Sequence, residues 1–351
     1  MSRVLYQQYH FPVLQNRVYD SAAQAQDCPK GDIEIIENQQ TGLIYNTLFK
    51  PELITYDSNY NNEQGVSQRF RDHLNQVAEL IETFLGKENL IEVGCGKGFF
   101  LEMLLQRGAD IIGFDTTYDG SNPRVVKKYF EPETTKTPAK GLVLRHVLEH
   151  IPNPIEFLFQ LRQANREQGL IYIEVPCFDW ICKKRAWFDI FYEHVNYFRL
   201  ADFDRFFEKI IDSGRLFGEQ YIYVIADLST LRAPVFEPSN AVDFPLDFLS
   251  HLFPKEQDKK NYPTCIWGGA SKGVIFSLLR ERIGEPVDCV IDVNPAKQGM
   301  FLPGTGLLVQ SPERALRNLP IGTPIYVMNS NYLEEIKTMS NHKFKYLGVD
   351  Q

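Results

Sequence analysis

The stretch Leu90-Ile91-Glu92-Val93-Gly94-Cys95-Gly96-Lys97-Gly98-Phe99 decides how this chain folds. Leu90 to Val93 is a short, mostly apolar run that suits a buried strand. Glycines follow at alternate positions, and the spacing of apolar residues up to Arg107 predicts a helix. Between strand and helix the chain must turn sharply, and a ligand must approach its backbone. Glycine permits both, because without a Cβ it accepts positive φ and close contact. The helix start adds unpaired N–H groups that favour an anion, here a carboxylate. Residues 109–114 predict the next strand, which ends at Asp115. An acidic residue at that place accepts hydrogen bonds from ribose hydroxyls. A turn that merely packs strand on helix is the plain alternative. The strand, the spacing and Asp115 agree against it.

The same alternation continues outward. Residues 142–144 and 169–175 predict strands, with a helix over 154–166 between them. Apolar strands alternating with helices mean a parallel sheet covered on both faces. Beyond lie a compact irregular stretch over 176–198, a helix from about 201 to 213 and a strand over 220–228. Upstream, the chain begins irregularly, with turn signals at Cys28 to Asp32 and a short strand over 32–36. Apolar spacing over 68–85 predicts an amphipathic helix capped by Ser67. Downstream, Pro234, Pro238, Pro245, Pro254 and Pro263 break regular structure, and an acidic and basic cluster follows Pro254. Residues 244–252 are the one candidate helix there. A second strand–glycine–helix unit then begins. Its strands are 264–267, 286–292 and 325–328, and its helix spans about 271–283. The expected division is 1–86, 87–240 and 241–351.

The bulk composition sets the class. The 351 residues carry a net charge of −8 and an ordinary apolar fraction. A basic face for nucleic acid is not evident. There is no run of the ~18 apolar residues that a membrane span needs, and residues 1–20 hold no signal-like apolar run. Cys28, Cys95, Cys177, Cys182, Cys265 and Cys289 form no C-x-x-C pair. Free thiols of this kind fit a reducing compartment, so a cytoplasmic location is expected.

The pattern E-x-G-C-G-x-G closely resembles motif I of class I S-adenosylmethionine-dependent methyltransferases. The turn lacks the G-x-G-x-x-G of dinucleotide sites, which sets an NAD-linked dehydrogenase aside. The resemblance implies an α/β Rossmann-like core that binds S-adenosylmethionine. Glu92 would orient the methionine amino group, Gly94, Cys95, Gly96 and Gly98 would line the site, and Asp115 would hold the ribose. Arg145-His146-Val147-Leu148-Glu149-His150-Ile151-Pro152 resembles a segment that lies beside the cofactor in the same family, which adds Arg145 and His146.

Two further stretches carry a narrower resemblance. They are Trp187 to Phe198 and Gly268-Gly269-Ala270-Ser271-Lys272-Gly273, the latter with Asp292-Val293-Asn294-Pro295-Ala296-Lys297-Gln298-Gly299 after it. Together with Tyr56-Asp57-Ser58-Asn59-Tyr60 they resemble deoxysugar C-methyltransferases, which methylate a carbon of a nucleotide-linked keto sugar. A smaller C-terminal Rossmann-like domain, helping to hold the nucleotide sugar, is implied. Carbon methylation needs a base to remove a proton beside a carbonyl, and a base of pKa near 7 suits it. By the resemblance His194 is that base and Glu193 its neighbour. His150 is a second histidine, and Tyr60, rather than Tyr56, is the N-terminal tyrosine of the site. Gly269, Ser271 and Lys272 form an expected diphosphate cradle, with Tyr197 also near the acceptor.

Two departures stand out. The family's N-terminal zinc cysteines are missing, since Cys28 is the only cysteine before Cys95. One thiolate makes no structural zinc site, so no metal is expected. Phe191 stands where the family has tyrosine, with Tyr192 one residue later. Either Tyr192 substitutes, or a hydroxyl has been lost and the acceptor differs. Methylation of oxygen or nitrogen, and a cofactor-binding protein without turnover, are the alternatives.

Overall fold

A computed structural model describes residues 2–55, 60, 65, 67–135, 137–252 and 262–351, apart from the side chain of His251. Tyr56 to Asn59, Pro254 and the charged cluster after it lie outside the described residues.

The N-terminus does not begin irregularly. β1 (Ser2–Pro12) pairs antiparallel with β2 (Lys30–Asn38), and the short helix α1 (Ala22–Gln26) lies between them. Ile33 and Ile35 of β2 are buried in the main core. β3 (Ile44–Asn46) extends the sheet, and Asn196–Tyr197, from the central unit, completes it. The N-terminal sheet is therefore stitched to the centre of the chain by backbone hydrogen bonds as well as packing.

The central unit opens with α2 (Gln68–Phe84), capped as expected by Ser67, whose hydroxyl accepts the Phe70 N–H. It continues with β4 (Leu90–Val93), α3 (Phe99–Gln106), β5 (Ile111–Phe114), β6 (Val125–Val126) and β7 (Gly141–Arg145). Then come α4 (Pro154–Ala164), β8 (Leu170–Pro176), α5 (Phe178–Lys184), β9 (Asn196–Tyr197), α6 (Leu200–Phe206), β10 (Ile210–Leu216) and β11 (Tyr221–Asp227). The strand order is β10-β11-β8-β7-β4-β5-β6. β6, β5, β4, β7 and β8 run parallel, whereas β11 and β10 join as an antiparallel edge. Phe70, Leu74 and Ile81 of α2 pack with Phe100 and Leu104 of α3 over Val143 and Tyr172 of the sheet. Each such buried side chain contributes roughly 1.5–3 kcal/mol of hydrophobic stabilisation.

The helix expected over 201–213 stops at Phe206. Phe207 is extended, at φ −124° and ψ 137°, and the chain becomes β10. Phe203, Phe206, Phe207 and Ile210 have helical spacing, but pairing with β11 satisfies more backbone than another helical turn would. Residues 244–252 form turns and one 3₁₀ segment (Ser250–Leu252), not an α-helix.

The third sheet holds β12 (Cys265–Trp267), β13 (Cys289–Ile291), β14 (Val309–Gln310), β15 (Pro324–Val327) and β16 (Lys345–Gly348). α7 (Ser271–Arg282), α8 (Pro312–Asn318) and α9 (Leu333–Met339) connect them. All pairs are parallel, in the order β14-β13-β12-β15-β16. The order reverses direction at β12, as it does at β4 in the central sheet. Ligands of open α/β sheets bind in the crevice at that point.

Candidate active site

The glycines after β4 are required by geometry. Gly94 has φ +74°, and a Cβ there would lie 2.4 Å from Val147 Cγ2. Gly96 and Gly98 also have positive φ. The Asp115 carboxylate braces the turn: Oδ2 accepts the Gly96 N–H at 2.8 Å, and Oδ1 accepts the Thr117 N–H and hydroxyl. Glu92 is buried on β4, and its Oε2 has no hydrogen-bond partner. Burial, opposed by Arg145, pushes its carboxyl up to about 7. An incoming ammonium group would satisfy that oxygen and restore the charge. These residues fit the methionine and ribose ends of S-adenosylmethionine. The Cys95 side chain does not join them, because its sulfur is turned toward Gly113 of β5.

Arg145 and His146 meet a carboxylate hub that the sequence did not reveal. Glu174, fully buried on β8, accepts from His73 Nε2 at 2.7 Å and from Arg145 Nε at 2.8 Å. Burial would raise its pKa, but Arg145, His146 and His73 hold it well below the usual carboxylate range. Arg145 also lies 4.4 Å over the Phe100 ring. His146 sits at φ +51°, an uncommon conformation for a non-glycine residue. Its N–H donates to Glu174 O, and its Nδ1 lies 3.3 Å from Glu149 Oε1. Burial opposes its charge, but Glu149 and Glu174 outweigh this and raise it to about 9.

Between the central sheet and the third sheet lies a cavity of about 300 Å³. Tyr60, His150, Phe191, Glu193 and His194 line one side. His150 Nδ1 lies 2.8 Å from the Glu193 carbonyl oxygen. A carbonyl only accepts, so Nδ1 carries a proton. The two histidine rings meet edge to face at 5.0 Å, and the Phe191 ring lies 3.9 Å from that of His194. Burial, with the charges of His150, His146 and Lys272, drives His194 well below its ordinary pKa. It is therefore a neutral acceptor at pH 7, with a pKa below the expected value near 7. Burial raises Glu193, although Tyr60 and the backbone N–H groups of Gln15 and Asn16 counter it. Glu149, His150 and His194 bring their ligand atoms within 4.8 Å of one another, and could together hold a metal ion.

Three expected acceptor residues lie elsewhere. Tyr192 does not replace the missing tyrosine. Its hydroxyl accepts the Lys50 N–H at 2.8 Å, and its ring fills the space a Cβ of Gly31 would need. Phe191 takes the cavity position, so the hydroxyl is lost. Tyr197 lies in the core and donates its hydroxyl to Phe191 O. Gly269 is not on the cavity wall, since its N–H is taken by Asp292 Oδ2 at 2.7 Å. Ser271 and Lys272 do line the cavity. Lys272 is already paired, however, at 3.0 Å from both Asp189 Oδ2 and Gln220 Oε1. Sequence reasoning missed Asp292, although it follows its glycine turn and second strand just as Asp115 does. It also missed Lys297, which lines the same cavity.

Fold and site define a class I S-adenosylmethionine-dependent methyltransferase. Residues 66–210 match the family model described as a methyltransferase domain. The chain is 26% identical to the C-methyltransferase NovU of Streptomyces niveus, over 71% of this chain and 69% of that protein. Among solved structures, a SAM-dependent methyltransferase from Archaeoglobus fulgidus is 21% identical, with a TM-score of 0.35 over 46% of this chain and 95% of its own. The plantazolicin methyltransferase BpumL, crystallised with SAH, is 16% identical, with a TM-score of 0.37 over 50% of this chain and 91% of its own. Among the described residues no helix is long and apolar enough to cross a membrane.

Proposed function

We propose that the protein methylates a carbon beside the carbonyl of a nucleotide-linked sugar, in the cytoplasm. What supports this most is the convergence of His150, Glu193 and His194 in one cavity beside the glycine turn that starts α7. The similarity to a C-methyltransferase points the same way. When bound, S-adenosylmethionine supplies an electrophilic methyl group on a positively charged sulfur. His194, neutral and with no hydrogen bond to its ring among the described residues, removes the proton beside the carbonyl. Its low pKa weakens it as a base, so the enolate itself must be stabilised. The protonated His146 ring, on the cavity wall, favours the developing negative charge. The His150 ring packs edge to face on the base, and Tyr60 bonds the Glu193 carboxylate. The apolar Phe191 ring excludes water from the base.

Phe191 in place of tyrosine favours a second reading, O- or N-methylation of a related acceptor, where no enolate oxygen needs a hydroxyl. The test is deuterium uptake. Candidate nucleotide-linked keto sugars are incubated with enzyme in heavy water without methyl donor. Exchange at carbon, lost in His194→Gln, is expected. A methylated product formed with no exchange, carrying its methyl on oxygen or nitrogen, overturns the carbon assignment.

A further inference from the structure

We infer that Lys297, and not Lys272, is the cation that receives the diphosphate of the acceptor. The inference rests on the acceptor being nucleotide-linked. Lys272 has its charge answered by Asp189 and lies 4.8 Å over the Trp180 ring. Lys297 differs. It is 3% exposed, it lines the cavity, and it forms no ion pair among the described residues. Among the described residues its Nζ bonds only neutral oxygens, Asn16 Oδ1 at 3.2 Å and Gly269 O at 3.4 Å. The carboxylates of Asp292 and Glu193 act on it only from beyond ion-pair distance, so the buried ammonium group, without a direct counter-ion, stays costly and a ligand anion removes that cost. Burial pulls its pKa down further than Asp292 and Glu193 push it up, and a bound anion adds to them in keeping it charged.

The surroundings suit a nucleoside diphosphate. The Gly269 carbonyl that Lys297 touches belongs to the turn that starts α7, where N–H groups favour an anion. Gly273 is needed for that turn, since a Cβ there would lie 1.9 Å from Gly268 O. Asp292, just after β13, accepts N–H groups from Gly269 and Asn294, at 2.7 and 2.8 Å. It stands where ribose hydroxyls are held in this kind of unit. Asp292 and Lys297 thus divide a nucleotide between them, sugar to the carboxylate and diphosphate to the ammonium.

The test is calorimetric titration of the full chain with UDP, TDP, CDP, GDP and ADP, with inorganic pyrophosphate, and with each matching nucleoside. At least one diphosphate should bind wild type roughly tenfold or more tightly than its nucleoside. Lys297→Met should erase that preference, while Lys272→Met should change it less than about threefold. S-adenosylhomocysteine binding by each variant reports folding. If Lys297→Met fails to fold, wild type and Lys272→Met still decide. A preference lost in Lys272→Met, or kept in a folded Lys297→Met, overturns the inference and leaves the nucleotide reading standing. A wild type that binds S-adenosylhomocysteine but none of these probes overturns that reading too.

Discussion

The chain contains the same device twice, with opposite charge. After β4 and after β12 a glycine turn leads into a helix. In each, an acidic residue beyond the second strand, Asp115 or Asp292, accepts a backbone N–H from the turn, at 2.8 or 2.7 Å. The difference lies in what is buried beside it. The central turn has Glu92, a carboxylate with an unpartnered oxygen. At the matching place before Gly268 stands Ile266. The third sheet has Lys297 instead, a buried ammonium without an ion pair among the described residues. One turn is prepared for a ligand that brings a cation, the other for one that brings an anion. In the proposed reading, a common backbone scaffold becomes two different sites through one buried charge each.

The comparison breaks most visibly in the cavity that the second turn lines. His194→Gln should lower turnover on the order of 10²–10⁴-fold without weakening S-adenosylhomocysteine binding. Mass spectrometry of the product and calorimetry measure the two effects separately. Glu92→Gln keeps the shape but not the charge. It should cost the donor site about 1.5–3 kcal/mol, the worth of a hydrogen bond to a charged group. Nucleoside diphosphate binding should not change. If Glu92→Gln weakened both ligands alike, the two turns would not be independent.

Smaller effects sharpen the account of the cavity wall. Gly31→Ala forces a Cβ into the Tyr192 ring, at 2.2 Å from Cε2. It should cost about 1–3 kcal/mol in chemical denaturation. An unchanged midpoint would mean that Tyr192 is free to swing toward the cavity. His146 gives a pH signature. Its folded pKa, about 9, lies above its ordinary value of 6.5, so its stabilisation is full below pH 6.5 and is lost as pH rises through 9. The melting temperature of wild type should fall over that window, and His146→Gln should flatten the fall. Removing metal with EDTA should leave turnover unchanged. Lost turnover that a divalent ion restores would assign Glu149, His150 and His194 to a metal instead.

The sequence made some of this legible and hid the rest for physical reasons. That Glu92, Gly94, Gly96 and Asp115 gather at one turn was readable from the glycines between strand and helix and the acidic residue after the next strand. The central parallel strands were readable as apolar runs. The strand Ser2–Pro12 was not, because Arg3, Gln7 and Gln8 carry no alternating apolar signal and its partner β2 is distant in sequence. Ile210 and Ile211 continued a helical spacing, and only pairing with β11 turned them into strand. Whether Phe191 or Tyr192 faced the cavity depended on the local turn, which a shift of one residue inverts. Lys297 was hidden because a lysine reads as solvated until the fold closes over it. Lys272 drew attention by its place in a glycine motif, yet Asp189, remote in sequence, had already claimed it.

The most direct test is calorimetric titration of S-adenosylhomocysteine into wild type, Asp115→Ala and Asp292→Ala. Two separate sites predict micromolar binding to wild type, its loss in Asp115→Ala and its retention in Asp292→Ala. Binding kept by Asp115→Ala, or lost equally in Asp292→Ala, would contradict the assignment of the cofactor to the central turn.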